Sequence, residues 1–100
     1  MVQIRWTPRS IKDANAIKNY ISEDSIKYAN ITIRKIKAKT TILKIYIRIG
    51  RIVPEFNTEE IRELIEGNYR IVYRIVSENQ VDIITIYHGS RDLNLLKIDK

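Results

Sequence analysis

Residues 69–76 read YRIVYRIV, and residues 81–92 read VDIITIYHGSRD. Both stretches are rich in β-branched and aromatic residues, which is typical of β-strands. The residues SENQ (77–80) lie at their junction, so the two stretches predict a β-hairpin. Successive side chains of a strand point to opposite faces of a sheet. The first strand therefore has a Tyr/Ile face suited to a core, and an Arg-bearing face that we predict to be open.

Pairing across the hairpin assigns the remaining residues to these two faces. A turn with two or four loop residues places Tyr69, Ile71, Tyr73 and Ile75 with Ile84, Ile86 and His88. The other face then carries Arg70, Val72 and Arg74 with Ile83, Thr85 and Tyr87. A three-residue turn would move Tyr87 to the opposite side. We expect Glu63 to form a surface ion pair with Arg70, whereas no acidic residue is predicted opposite Arg74.

Two helices are predicted before the hairpin, after a short first strand, VQIRW (2–6). Thr7 can cap the first helix, with Pro8 at its first position, and Ser25 can cap the second. Apolar positions in the second helix follow a spacing of three and four, which is a heptad pattern: Ile26, Ala29, Ile33, Ile36, Thr40, Leu43 and Ile47. The short link between the helices predicts an antiparallel helical hairpin.

The segment GRIVPEF (50–56) ends the second helix, because Gly50 can adopt a left-handed cap and Pro54 prevents the helix from resuming. A strand at about 60–66 follows, and residues 90–96 could form a short C-terminal helix. The order is strand, helix, helix, strand, strand, strand, and we expect the second strand to run antiparallel to the first. The sequence thus predicts one α+β domain over residues 1–100, an antiparallel sheet with the helical hairpin on one face.

The formal net charge of +6 is distributed unevenly along the chain. Residues 1–50 contain eleven Lys/Arg and three Asp/Glu, whereas residues 51–100 contain seven and nine. At about 100° per residue, five basic residues fall on one arc of the predicted second helix: Lys27, Arg34, Lys37, Lys44 and Arg48. This basic stripe is either a solvated face or a contact surface for an anionic partner, such as nucleic acid or an acidic protein segment.

Several classes of function are disfavoured by composition. The chain has no Cys and one His, so we expect no disulfide, no metal site and no cofactor. The N-terminal residues contain no long apolar run, so no signal peptide or membrane span is predicted, and we expect a cytoplasmic protein. A Gly-rich phosphate loop, a Ser-His-Asp order and paired catalytic carboxylates are not recognisable.

Side chains around the hairpin could instead bind phosphate: Arg51, Arg70, Arg74, Tyr87, His88 and Arg91. Such a set could bind RNA and even cleave it, because a base can deprotonate the 2′-hydroxyl while cations stabilise the phosphorane and an acid protonates the leaving oxygen. His88 or Tyr87 would carry out that proton transfer, since an arginine stays protonated. A lone histidine at a strand end is also often a structural residue.

Four segments together resemble the RelE/ParE toxin superfamily of type II toxin–antitoxin systems: IRWTPRSIKD, GRIVPEF, IRELIEGNYRIVYRI and VDIITIYHGSRDL. The resemblance covers about residues 2–93 and is closer to the ParE and plasmid-stabilisation branch. It implies a compact growth-inhibiting toxin that a cognate antitoxin neutralises, with the same order of helices and strands. RelE-like members cut mRNA on the ribosome with basic, Tyr or His residues, whereas ParE-like members block DNA gyrase and lack most of that set.

The resemblance implies catalytic roles for Arg70, Tyr87 and His88 if the chain is a nuclease. RelE-like enzymes carry several lysines in and before the second strand, but here the segment EFNTEEIRELIEG (55–67) is rich in Glu and would repel mRNA phosphates. We therefore predict a ParE-like toxin that binds gyrase. Its candidate binding residues are Lys37, Lys44, Arg48, Arg51, Arg74 and Arg91. The alternatives are a ribosome-dependent mRNA endonuclease and an antitoxin-binding protein that has lost its toxicity.

Overall fold

The structure, a computed structural model, describes residues 1–89. In this part of the chain the elements are β1 (Gln3–Trp6), α1 (Pro8–Ser22), α2 (Ile26–Thr40), a 3₁₀ helix (Thr41–Lys44), β2 (Arg51–Ile52), β3 (Ile61–Glu66), β4 (Tyr69–Ser77) and β5 (Gln80–His88). The strands form one sheet in the order β1-β5-β4-β3-β2. The predicted helix at 90–96 and Arg91 lie outside the described residues.

Both helices begin where the sequence predicts. The Thr7 side chain accepts a hydrogen bond from the Ser10 amide at 3.2 Å, and Pro8 is the first helical residue. The Ser25 hydroxyl accepts from the Tyr28 amide at 3.0 Å. These bonds satisfy amides that have no partner inside the helix. The short link after α1 produces the predicted helical hairpin, so this part of the prediction is confirmed.

The second helix is shorter than predicted, because it ends at Thr40. The hydroxyls of Thr40 and Thr41 donate to the carbonyls of Lys37 and Ala38, each at 2.7 Å. Such bonds compete with the backbone bonds that would extend the helix. Lys44 therefore lies in the 3₁₀ helix. Arg48 lies in the following loop. Of the five residues of the basic stripe, α2 itself therefore carries only Lys27, Arg34 and Lys37.

The helices cover one face of the sheet, as predicted. The core between them consists of Ala14, Ile36, Leu43, Ile47, Leu64, Ile71, Tyr73, Ile75, Val81, Ile83 and Ile86. The opposite face was expected to be open, and this expectation is wrong. A second cluster of Val53, Ile61 and Val72 lies there, with Phe56 and Tyr87 packed against it. The segment between β2 and β3 supplies part of this cover.

The sheet is mixed rather than purely antiparallel. β3 pairs antiparallel with β4, and β4 pairs antiparallel with β5, but β1 pairs parallel with β5. β3 therefore runs parallel to β1, contrary to the prediction for residues 60–66. The cause is β2, an unpredicted strand that pairs antiparallel with β3 and adds one reversal of the chain. The α+β class with a helical hairpin on one face is confirmed.

The hairpin register agrees with the prediction up to a β-bulge. The pairs are Tyr69 with His88, Arg70 with Tyr87, Ile71 with Ile86, and Val72 with Thr85. Beyond a shift in register, Tyr73 pairs with Ile83, so Ile84 is the extra residue of a bulge. Ile83 consequently joins the helix-side core instead of the Arg-bearing face. Arg74 pairs with Asp82, so an acidic residue does lie opposite Arg74, contrary to the prediction.

The first helix is tied to the hairpin by polar contacts. The Asp13 carboxylate accepts from the Thr85 hydroxyl and, at 3.3 Å, from the Ile86 amide. Thr85 is buried at this contact rather than lying on an open face as predicted. The Thr7 hydroxyl donates to the Ile83 carbonyl at 2.7 Å. The N-terminal end of α1 is thus fixed on β5.

Within residues 1–89, no helix is long and apolar enough to cross a membrane.

Candidate functional site

Two arginines and two glutamates form an ion network on the sheet face opposite the helices. The Arg70 guanidinium donates to both carboxylate oxygens of Glu55, at 2.8 and 2.9 Å, and its Nε donates to Glu63. The other Glu63 oxygen accepts from Nε of Arg51. Glu63 is 1% exposed and Arg70 is 7% exposed. All three guanidinium nitrogens of Arg70 thus contact a carboxylate.

Each member of the network is positioned by a different segment. β2 places Arg51 opposite Glu63, and β4 places Arg70 diagonally across from Glu63. Glu55 comes from the turn after β2, where the amides of Phe56 and Asn57 both donate to the Val53 carbonyl. The sequence predicts the contact between Glu63 and Arg70, but as a surface pair. It is buried, because the segment that carries Glu55 folds over it.

The electrostatics of the network favour the charged form of Arg70. The carboxylate of Glu55 raises the pKa of Arg70 above its usual value, mainly through their hydrogen bonds, while burial acts in the opposite direction. Two positive and two negative charges balance in this small volume. A phosphate that approached Arg70 would also meet Glu55 and Glu63. The arrangement is therefore suited to holding β2, β3 and β4 together and poorly suited to binding an anion.

Tyr87 and His88, the candidate proton-transfer residues, do not share a site. Tyr87 packs against the cluster that contains Val72, on the face of the ion network. His88 is exposed, and its ring meets the Tyr69 ring edge-on with the centroids 5.8 Å apart. Tyr69 itself packs against the helix-side core. The two residues therefore lie on opposite faces, which is the assignment that strand alternation predicts.

The candidate binding residues are dispersed over the described surface. Lys37 and Lys44 are exposed on the helical side, and Arg74 is half-buried opposite Asp82. Arg48 is exposed and makes a bidentate ion pair with Glu78, at 2.7 and 3.1 Å. Arg48 and Arg51 line different surface grooves. The structure brings Arg51 and Arg70 together through Glu63, but it does not unite the described candidates in one pocket.

Sequence reasoning missed the residues that fix the loop before β2. The buried Tyr73 hydroxyl accepts from the Gly50 amide at 3.0 Å and donates to the Ile47 carbonyl at 2.7 Å. Arg62 donates to the carbonyls of Arg48, at 3.2 Å, and of Gly50, at 3.0 Å. Neither role has a local signal in the sequence. Together these side chains hold the turn that delivers Arg51 to Glu63.

Gly50 is required by close packing rather than by a left-handed cap. Gly67 is the described glycine with positive φ, so the conformation predicted for Gly50 is wrong. A Cβ at Gly50 would lie 2.6 Å from the Glu63 carbonyl oxygen and 2.7 Å from the Tyr73 ring. The glycine thus permits the backbone to pass against β3 and β4.

No group of three or more His, Asp or Glu side chains within the described range could hold a metal ion.

Comparisons with known proteins agree with this architecture. The sequence profile of the family described as "ParE toxin of type II toxin-antitoxin system, parDE" matches residues 4–93. Toxin RelE2 of Caulobacter vibrioides is 30% identical over 91 residues, which cover 91% of this chain and 99% of that protein. The fold and these matches define a type II toxin. The chain belongs to the ParE toxin family.

Two solved structures share the fold. The chromosomal ParDE toxin–antitoxin system from P. aeruginosa contains a chain that superposes with a TM-score of 0.73 at 20% identity, covering 88% of this chain and 96% of that one. The RelBE2 toxin–antitoxin complex from Mycobacterium tuberculosis gives a TM-score of 0.53 at 19% identity, covering 87% and 96%. At these identities the likeness establishes a common fold alone.

Proposed function

We propose that this ParE-family toxin acts by binding and inhibiting DNA gyrase, and that a cognate antitoxin neutralises it. The observation that carries the proposal is the engagement of Arg70 by Glu55 and Glu63. An RNA-cleaving site needs a cation that can stabilise the negative charge developing on the phosphate. Arg70 already balances two carboxylates, so it is a poor candidate for that role.

The arrangement of the proton-transfer candidates supports the same proposal. General acid–base cleavage needs both groups within reach of one phosphate. Tyr87 and His88 lie on opposite faces, which favours a toxin that acts through contact surfaces. The basic side chains of α2 and the exposed apolar residues of the loop after it can supply such surfaces. Both solved structures that share the fold are of toxin–antitoxin assemblies, which supports an antitoxin partner for this chain.

A ribosome-dependent mRNA endonuclease is the second candidate function. It is favoured by the name of the 30% identical relative, Toxin RelE2, and by the exposure of His88 at the end of β5. In this case His88 would act with groups other than Tyr87 on its own face. An antitoxin-binding protein without toxicity is the third candidate.

The test is a comparison of plasmid supercoiling with protein synthesis in the first minutes after induction. We expect negative supercoiling to fall before translation does. Purified protein should inhibit gyrase on relaxed plasmid DNA, and addition of antitoxin before gyrase should prevent the inhibition. Codon-positioned mRNA cuts on ribosomes, with unchanged supercoiling, would establish the endonuclease. Antitoxin binding without either effect would establish the third candidate.

A further inference from the structure

A cleft lies between α1 and the end of the hairpin of β4 and β5, on the helix side of the sheet. We call it the aromatic cleft and define it by five of its lining residues: Asp13, Ile17, Tyr20, Tyr69 and His88. Its volume is about 570 Å³. Sites that hold a small organic ligand usually have about 300–1,000 Å³, so the cleft is large enough for one.

Aromatic rings are present on both walls of the aromatic cleft. Asp13, Ile17 and Tyr20 are spaced by four and three residues, so one face of α1 supplies the first wall. Tyr69 and His88 supply the second wall, with their rings edge-on. Tyr20 is 74% exposed, so its ring contributes little to the core. The packing of the fold therefore does not account for an aromatic residue at this position.

The Asp13 carboxylate supplies the negative charge of the cleft. The Thr85 hydroxyl and the Ile86 amide both donate to Oδ2, and the Arg9 guanidinium lies 4.0 Å from the same oxygen. Among residues 1–89, no donor contacts Oδ1, and the cleft lining contains no Lys or Arg. The bonds from β5 thus fix the carboxylate while leaving one of its oxygens able to accept from a ligand.

The surroundings of the cleft are electronegative, although the chain has a net charge of +6. The last turn of α1 contains no basic residue, and Glu23 and Asp24 follow the helix directly. Carbonyl groups at a helix C-terminus also carry partial negative charge. A nucleotide could stack on the rings, but its phosphate would be repelled here. A cation is attracted both by the carboxylate and by the faces of aromatic rings.

We propose that the aromatic cleft binds a guanidinium group. The planar guanidinium stacks on the Tyr20 ring and donates to Oδ1 of Asp13. An ammonium group is a weaker ligand, because it is more strongly hydrated and cannot stack. The guanidinium belongs either to an arginine side chain of a partner protein or to a free molecule such as agmatine. This inference depends neither on gyrase nor on an antitoxin.

The test is a titration of the ¹⁵N-labelled toxin, followed by NMR, with Nα-acetyl-arginine methylamide. We expect saturable shifts of the Ile17, Ile86 and His88 amides, with a dissociation constant in the millimolar range. The citrulline derivative has the same shape but no charge, and it should cause no saturable shift. The lysine derivative should bind about 3-fold or more weakly. Agmatine distinguishes the two sources, because tighter binding of agmatine indicates a free molecule and weaker binding indicates a polypeptide.

Two variants test the assigned contacts. Tyr20→Leu keeps an apolar side chain but removes the aromatic face, and we expect it to bind the arginine derivative about 3-fold or more weakly. Tyr46→Leu is the matched control, because Tyr46 is 58% exposed and lies in the loop before β2. It should bind as the unaltered toxin does. Both residues are exposed, so the two variants should fold, and circular dichroism verifies this.

Several outcomes would overturn the proposal. A citrulline derivative that binds as tightly as the arginine derivative would show that charge plays no part. Equal binding of the lysine derivative would replace the guanidinium with any cation, and tighter binding of guanosine at the same amides would replace it with a nucleobase. Equal affinities of Tyr20→Leu and Tyr46→Leu would remove the stacking contact. Absence of saturable shifts with the arginine derivative and with agmatine would reject the site.

Discussion

Tyr87 and His88 are neighbours in β5, but their side chains lie on opposite faces of the sheet. Tyr87 packs against Val53, Ile61 and Val72, whereas His88 meets Tyr69 at the margin of the helix-side core. An RNA phosphate bound on either face would have one of these two side chains within reach. This arrangement therefore disfavours the pair as acid and base at one phosphate.

The Tyr87→Phe/His88→Ala variant should keep most of its toxicity. Loss of a general acid or base usually lowers a rate by about 10²–10⁴-fold, whereas loss of two peripheral contacts of a binding toxin has a small effect. Growth after induction at matched expression measures toxicity, with thermal unfolding and antitoxin binding as controls for the fold. A folded variant that binds antitoxin but has no toxicity would favour the endonuclease.

The Arg70→Ala variant should be strongly destabilised. It would leave Glu63 buried and Glu55 without its bidentate partner, and breaking a buried ion pair typically costs about 3–5 kcal/mol. Urea denaturation at pH 7 measures this loss in the free energy of unfolding. Arg74→Ala is the matched control, because Arg74 lies in the same strand and is half-buried. Equal losses in the two variants would show that the network contributes nothing specific.

The Tyr73→Phe variant tests the two hydrogen bonds by which the Tyr73 hydroxyl holds the loop before β2. It keeps the ring but removes the hydroxyl, so the Gly50 amide and the Ile47 carbonyl lose their partner in a buried site. Leaving such groups unsatisfied costs about 1–3 kcal/mol. Tyr28→Phe, at an exposed position, should change stability by less than about 0.5 kcal/mol. A Tyr73→Phe protein as stable as that control would contradict the role assigned to the Tyr73 hydroxyl.

The Arg5–Asp82 pair predicts a specific dependence of stability on pH. Arg5 donates to both oxygens of Asp82, at 3.2 and 3.0 Å, and lowers the pKa of Asp82 below its usual value. The carboxylate thus stabilises the fold above an ordinary Asp pKa of about 3.9, and this contribution is lost as the pH falls through the lower folded value. The stability difference between the unaltered protein and Asp82→Asn should accordingly be constant from pH 7 to 5 and shrink below about pH 4.

Chemical denaturation from pH 7 to pH 2 checks this dependence. Asp24→Asn, at an exposed residue between the helices, is the control. A difference for Asp82→Asn that grows on acidification would have the wrong sign and would reject the assignment.

Charge reversal at Lys37 and Lys44 should weaken the complex with the antitoxin. Acidic residues of a partner segment would lose their attraction to this surface, and the loss should be largest at low salt, where screening is weakest. Lys12→Glu/Lys18→Glu on α1 changes the net charge equally and is the matched control. Affinities measured across a salt series distinguish the two. Indistinguishable affinities at every salt concentration would assign Lys37 and Lys44 to solvation.

Local patterns predict much of this fold. Residues close together in sequence determine the caps at Thr7 and Ser25 and the alternation in 69–76. The positions at which the helices begin, and the sheet face that Tyr73 occupies, could therefore be predicted directly from the sequence. The turns on either side of β4 also have short-range signals. For the same reason, the opposite placement of Tyr87 and His88 follows from alternation alone.

The remaining features depend on distant contacts. β2 is two residues long and is stabilised by pairing with β3, so no period in the sequence reveals it. The bulge at Ile84 shifts Ile83 into the core without any Gly or Pro signal. Glu55 reaches Arg70 because a loop folds back over the sheet, and the same loop closes the face expected to be open. These contacts place Arg51 and Arg70, two of the arginines predicted to bind phosphate, in a charge-balanced network.

The parallel pairing of β1 with β5 affects when a newly made chain can become a toxin. Arg5 contacts Asp82, 77 residues further along the chain, and β5 lies between β1 and β4 in the sheet. Contacts of such long range form late, because a large loop must close first. During synthesis the helical hairpin can form early, but the sheet lacks an inner strand until nearly all of the described residues have emerged. Incomplete products that lack β5 would have neither β1 nor α1 fixed in place, so translation interrupted before this strand should release harmless fragments.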